Sequence, residues 1–137
     1  MEHDRPLAPT IKGQFENAWG MLREIVNTFS DEEWRQGDVN YLVPARIAYH
    51  TVETVEYYSS GRGLKAFPWG HRAGVDWESA PKERLPSRQV VLDYLEDVRR
   101  ANARWIDALG DVGLTAPDET FHDEGMTHLD RALYVLR

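Results

Sequence analysis

Between Thr10 and Phe29 the apolar residues Ile11, Phe15, Ala18, Trp19, Leu22, Ile25, Val26 and Phe29 recur at steps of three and four. That is the period of an α-helix with one buried face. Lys12, Glu16, Arg23 and Asn27 fall on the opposite side. The same period returns twice. A second helix is expected to begin near Pro44, because proline is favoured at the first helical position, and to end near Gly61, a natural left-handed cap. At about 100° per residue, Ile47, Ala48, Thr51, Val52, Thr54, Val55 and Tyr58 share one broad arc. Arg46, Glu53 and Glu56 lie opposite, and His50 sits at the arc's margin beside Thr54 and Tyr57. A third helix opens with Ser87 as its N-cap and runs to Leu109, closed by Gly110. Its apolar stripe is Val90, Val91, Tyr94, Leu95, Val98, Ala101, Trp105, Ile106 and Leu109, with the polar Asn102 in the middle.

The connecting segments are equally informative. Ser30-Asp31-Glu32-Glu33 reads as a capping box that starts a short turn carrying Trp34, and residues 36–41 form a connector. From 62 to 86, Gly63, Pro68, Gly70, Gly74, Pro81 and Pro86 exclude a long regular element, and loops of this length in compact domains are often functional. A second breaker-rich stretch, 111–125, leads to a fourth helix capped by Thr127 with Leu129, Ala132, Leu133, Val135 and Leu136 on its apolar side. This helix reaches only Arg137, roughly half the length of the first and third, and would leave part of the core uncovered. The pattern predicts one all-α domain over residues 1–137, an up-down antiparallel four-helix bundle with long loops and a C-terminally incomplete fourth helix.

Composition narrows the function classes. Asp and Glu number 23 against 16 Lys and Arg, a formal charge of −7 that repels a phosphate backbone, so nucleic acid is not the expected partner. No stretch approaches the roughly 20 apolar residues of a membrane span, and the polar, proline-interrupted MEHDRPLAPT lacks the apolar core of a secretory signal. A cytoplasmic location and a small-molecule substrate are the expectations. With no cysteine, thiol nucleophiles and thiolate metal sites are excluded, and any metal must be held by His, Asp or Glu.

Of the five histidines, at 3, 50, 71, 122 and 128, no pair has the spacing that puts two imidazoles on one helical face, so a local zinc motif is absent. His3 lies in a frayed terminus, His71 and His122 fall in loops where solvation is the ordinary state, and His128 follows a cap, where contact with solvent or the preceding loop is expected. His50 can be read in two ways, as a structural hydrogen-bonding residue or as a metal ligand, neutral imidazole being the commonest protein ligand. Asn102 is either a buried amide bonded across the bundle or a group lining a cavity.

The stretch Ile47-Ala48-Tyr49-His50-Thr51-Val52, followed by Tyr57-Tyr58, resembles the second-helix signature of the DinB-like superfamily of metalloenzymes. Leu85-Pro86-Ser87-Arg88-Gln89 with Leu92-Asp93-Tyr94-Leu95 and Arg99 is similar to the start of that family's third helix, and His128 to Arg137 to the start of its fourth. The resemblance runs in order along essentially the whole chain. It implies a four-helix bundle with a divalent metal, nickel or zinc, held by three histidines near one end. In this sequence the second-helix ligand is His50. The other two ligands normally come from an H-x-x-x-H pair further along the fourth helix, which the 137 residues do not contain. Several members are thiol-dependent transferases or isomerases that use low-molecular-weight thiols.

Two functions follow as expectations. The first is a DinB-like metal-dependent enzyme, a transferase or hydrolase in class and an S-transferase if it uses a low-molecular-weight thiol, with His50 as the visible ligand and Tyr57, Asn102 and Trp105 near the substrate pocket. The second is a non-catalytic helical bundle that forms a homodimer or binds a small ligand, with His50 structural.

Overall fold

A computed structural model describes residues 6–63, 65–120 and 125–137, and the regular structure among these is helical. In chain order the elements are α1 (Leu7–Thr28), α2 (Asp31–Trp34), α3 (Pro44–Ser60), α4 (Arg88–Leu114) and α5 (His128–Leu136), with 3₁₀ turns at Asn40–Leu42 and Lys82–Arg84. Among the described residues there is no strand, only an isolated bridge between Pro117 and Thr127. None of the described helices is long and apolar enough to cross a membrane.

The helix ends follow the local chemistry of the sequence. Ser30 and Glu33 form the reciprocal capping box of α2, and Thr127 and Asp130 form another at α5. Ser87 caps α4 through the Val90 amide, while α3 starts on Pro44 and stops at Gly61 with φ 69°. At α1 the residue before the helix is Pro6, which offers no side-chain cap. Its open amides are met from far along the chain, as Asp111 accepts from the Leu7 and Ala8 N–H groups at 3.0 and 2.7 Å. The third predicted helix stops where the sequence places its end: Gly110, with φ 60° and ψ −175°, breaks the helical backbone after Leu109, and a further helical turn then carries the chain to Leu114.

Packing directions follow from side-chain pairs. Lys12 meets Asp107, Glu16 meets Arg99 and Arg23 meets Glu96, so α1 and α4 run antiparallel. Along α3 and α4 the order is the same on both helices: Tyr94 contacts Tyr49 and Glu56, and Asn102 contacts Ser59. These two helices therefore run in the same direction, contrary to the strictly alternating up-down order expected from the sequence. The cause is the connector over 62–86, whose reach far exceeds the roughly 25 Å length of α3 and so can return the chain to the end where α3 began.

The buried face of α3 is also rotated from the expected one. Ala45, Arg46, Ala48, Tyr49, Val52, Glu53, Val55 and Tyr57 are buried, while Ile47 is 41% exposed. Periodicity placed Arg46 and Glu53 outward, yet both are 1% exposed, because the connector folds across their side of the helix and supplies partners. The Arg46 guanidinium donates to the carbonyls of Asn40 (3.2 Å), Trp77 (2.5 Å), Glu78 (3.1 Å) and Ala80 (2.8 Å). Trp34 Nε1 donates to Pro86 O at 2.9 Å and Arg35 Nε to Leu85 O at 2.9 Å, which fixes the connector's other end.

Arg46→Met would leave several buried carbonyls without a donor, and is expected to lower unfolding free energy by about 3 kcal/mol or more. Urea unfolding checks this against the exposed control Arg104→Met, expected to change stability by less than about 0.5 kcal/mol.

Candidate functional site

His50 projects from the middle of α3 and is half-buried. Its ring stacks on Trp77 of the connector, centroids 3.7 Å apart and planes 25° from parallel. Thr54, one turn on, brings its hydroxyl to 3.4 Å from Nδ1. Burial holds the imidazole below the ordinary histidine range, with the Glu78 carboxylate opposing it, so the ring is neutral near pH 7. Such a ring suits ligation, with Nε2 as the nitrogen to offer. Among the described residues, however, no three His, Asp or Glu side chains come together as a metal-holding group. His50 fits as one ligand, and these residues alone do not assemble the three-histidine centre.

The other candidates lie apart from it. Tyr57 is buried in an aromatic cluster, its ring 4.8 Å from Tyr58, 5.4 Å from Phe67 and 4.8 Å from Trp69. Burial pushes its phenol above the ordinary range. Asn102 is buried on α4 and donates through Nδ2 to Ser59 Oγ at 3.2 Å, the cross-helix bond expected of a buried amide. Trp105, a turn further along, is half-buried against the core. His128 meets the preceding segment, its Nδ1 lying 3.0 Å from Gly113 O. His3 and His122 lie outside the described residues.

A second constellation joins α3, α4 and the connector: Glu53 and Glu56, which the sequence pattern places outward, meet the loop residue His71 and Tyr94 from the apolar stripe of α4. His71 Nε2 and the Tyr94 hydroxyl each approach Glu56 Oε1 at 2.6 Å. One turn away, Glu53 Oε2 accepts from the Gly70 N–H at 2.8 Å, whereas Oε1 is buried without a hydrogen-bond partner. Burial raises the Glu53 carboxyl above its usual range; the Gly70 amide and His71 oppose this, and Glu56 and Asp76 add to it. Tyr94 is also raised, by burial first and by its bond to Glu56, and Tyr49, which donates to Val75 O at 3.0 Å, is pushed up to about 12. Gly70 makes the arrangement possible. Its φ is +79°, and a Cβ there would lie 2.9 Å from the Val75 carbonyl oxygen, so the turn that delivers both its N–H and His71 to α3 requires glycine.

Beside this cluster opens a cavity of about 420 Å³, lined by Glu56, Ser59, Arg62, Phe67, His71 and Val98 among others. The volume falls within the range of small-molecule pockets. Of the four residues named from the sequence, none lines it directly, but Asn102 touches its wall through Ser59 and Tyr57 through Phe67. The signal available in the sequence was the spacing of Glu53 and Glu56, three apart on one helix, together with a glycine-rich loop of unusual length.

Comparison with models of known protein families, with curated proteins and with solved structures finds no match.

A carboxyl whose folded pKa is raised contributes stability that is complete below its unfolded value near 4.5 and is lost as pH climbs through the folded value. Glu53→Gln removes that titration. Relative to the parent protein, this variant should gain about 1 kcal/mol or more in unfolding free energy between pH 4.5 and 7.5. Denaturation at the two pH values measures the difference, and a pH-independent gap would contradict the assignment.

Proposed function

We propose that this chain is the helical scaffold of a DinB-like, divalent-metal-dependent enzyme, a four-helix bundle of α1, α3, α4 and α5 in which His50 contributes one imidazole of a three-histidine centre. The observation that carries the reading is the path of α5. Tyr134 packs on Tyr58, and Val135 and Leu136 share a cavity wall with Thr51 and Val55, so α5 advances antiparallel to α3 toward its first turns. His50 immediately precedes Thr51. The path of this fourth helix leads toward the level of His50, and it is to the fourth helix that the resemblance assigns the H-x-x-x-H pair.

The local chemistry of His50 agrees with this role. Trp77 restrains the ring plane, Thr54 engages Nδ1, and burial keeps the ring neutral, the form that ligates. Nickel or zinc, were it bound with His50 as one of its ligands, would lower the pKa of a bound thiol or water at neutral pH. A low-molecular-weight thiol and a small electrophile are the substrate classes that go with it. The alternative, a non-catalytic bundle that dimerises or binds a small ligand, treats the Trp77 stack and the Thr54 contact as His50's whole role.

Metal content of the protein expressed from its complete open reading frame separates the two readings. The metalloenzyme reading expects about one nickel or zinc ion per chain by elemental analysis, and affinity lowered at least about tenfold in both His50→Ala and His50→Gln. Absence of stoichiometric metal, or binding that neither substitution alters, leaves the non-catalytic bundle.

A further inference from the structure

The cavity between α3, α4 and the connector is separate from His50: Glu56 is six residues further along α3, about 120° around the helix and toward α4. Three charged or titratable side chains line it, Glu56, His71 and Arg62. Their partners determine which of them a ligand can use. Glu56 Oε1 already accepts from the Tyr94 hydroxyl, so the His71 nitrogen 2.6 Å away must bring the proton to that contact, and Nε2 is its donor. In the neutral imidazole Nδ1 is then an acceptor. Glu56 thus orients a proton acceptor at the cavity wall, the base-and-orienting-carboxylate arrangement of general base sites.

Arg62 is in a different state. No described residue forms an ion pair with its guanidinium, and its backbone N–H donates to Ser60 Oγ at 3.3 Å, which ties the residue to the end of α3. Ser59 Oγ accepts from Asn102, leaving its own proton to donate. Arg62 and Ser59 therefore offer donors to an anion at one part of the wall, while Phe67, Pro68, Val98 and Ala101 supply an apolar body. Other charges near His71 are committed elsewhere: Arg72 pairs with Asp97 at 2.6 Å and stacks over Tyr94, and Glu53 accepts from Gly70.

We propose that this cavity is a binding site for a small organic carboxylate that carries a protic group, such as a hydroxyl, next to the carboxylate. Arg62 and Ser59 receive the carboxylate, the protic group donates to His71 Nδ1, and the hydrocarbon part lies against Phe67 and Val98. The proposal stands or falls independently of the metal reading.

Three probes of similar shape test it: mandelate, phenylacetate and phenethylamine, titrated into the protein at pH 7.5 and followed by amide chemical shifts. The expected order is mandelate, then phenylacetate, then phenethylamine, with mandelate binding at a Kd of about 1 mM or tighter. Arg62→Gln should weaken both carboxylates at least about fivefold and spare the amine. His71→Ala should erase mandelate's advantage and leave phenylacetate within about twofold of its original affinity. Both positions are exposed, so the fold is expected to survive either substitution, and unchanged thermal melts confirm that. Equal or tighter binding of the amine, no binding of any probe at millimolar concentration, or an affinity order that neither substitution changes would each overturn the proposal.

Discussion

The guanidinium of Arg46 is buried without a carboxylate bonded to it and is satisfied by carbonyls from two separate loops, Asn40 on one side and Trp77, Glu78 and Ala80 on the other. The segment 62–86 bonds several of its carbonyls within itself, those of Gly70 and Asp76 among them, but the carbonyls of Trp77, Glu78 and Ala80 are met by Arg46, and buried carbonyls without donors are costly. Placing a five-donor side chain beneath it lets the segment lie flat against α3. The rest of the connector's geometry depends on that seat. Trp77 reaches the His50 ring, Val75 O reaches the Tyr49 hydroxyl, and Asp76 folds its carboxylate onto the Ser79 amide in a tight turn. Ser79 chiefly holds the Asp76 carboxyl below the usual range, with a further contribution from Arg46.

Because the connector covers one flank of α3, the helix carries two chemically different edges. One edge presents His50 against Trp77 and faces the direction along which α5 travels. The other presents Glu53 and Glu56 to Gly70, His71 and Tyr94. The same 25-residue segment, 62–86, completes both, since its early part supplies Gly70 and His71 and its later part supplies Trp77. Its length has a second consequence: it returns the chain along the bundle, so that α4 starts beside α2 and runs parallel to α3. Asp111 at the far end of α4 is thereby delivered to the open amides of α1, and three ion pairs form along the α1–α4 seam.

The helices themselves were readable from the sequence. Three-and-four spacing marked α1, α3 and α4, and Ser30, Pro44, Gly61, Ser87 and Thr127 marked ends that the structure reproduces to within a few residues. These signals are local, since a cap or a left-handed glycine acts on amides and carbonyls one turn away. Gly110 follows the same logic: its non-helical backbone breaks the helix after Leu109, and a separate turn beyond it carries Leu114, whose buried side chain joins the core.

Sequence alone therefore determined that this chain is all-α, where its helices start, and that His50 lies at the edge of a core-facing arc. Tertiary structure decided which flank of α3 is buried, the direction of α4, and the meeting of Glu56, His71 and Tyr94. The physical reason is that helical periodicity reports the width of an apolar stripe but not what covers the residues beside it. A buried Arg46 or Glu53 reads as solvent-facing until a loop with carbonyls and amides to spare is laid over it, and that loop's path is fixed by contacts distant in sequence.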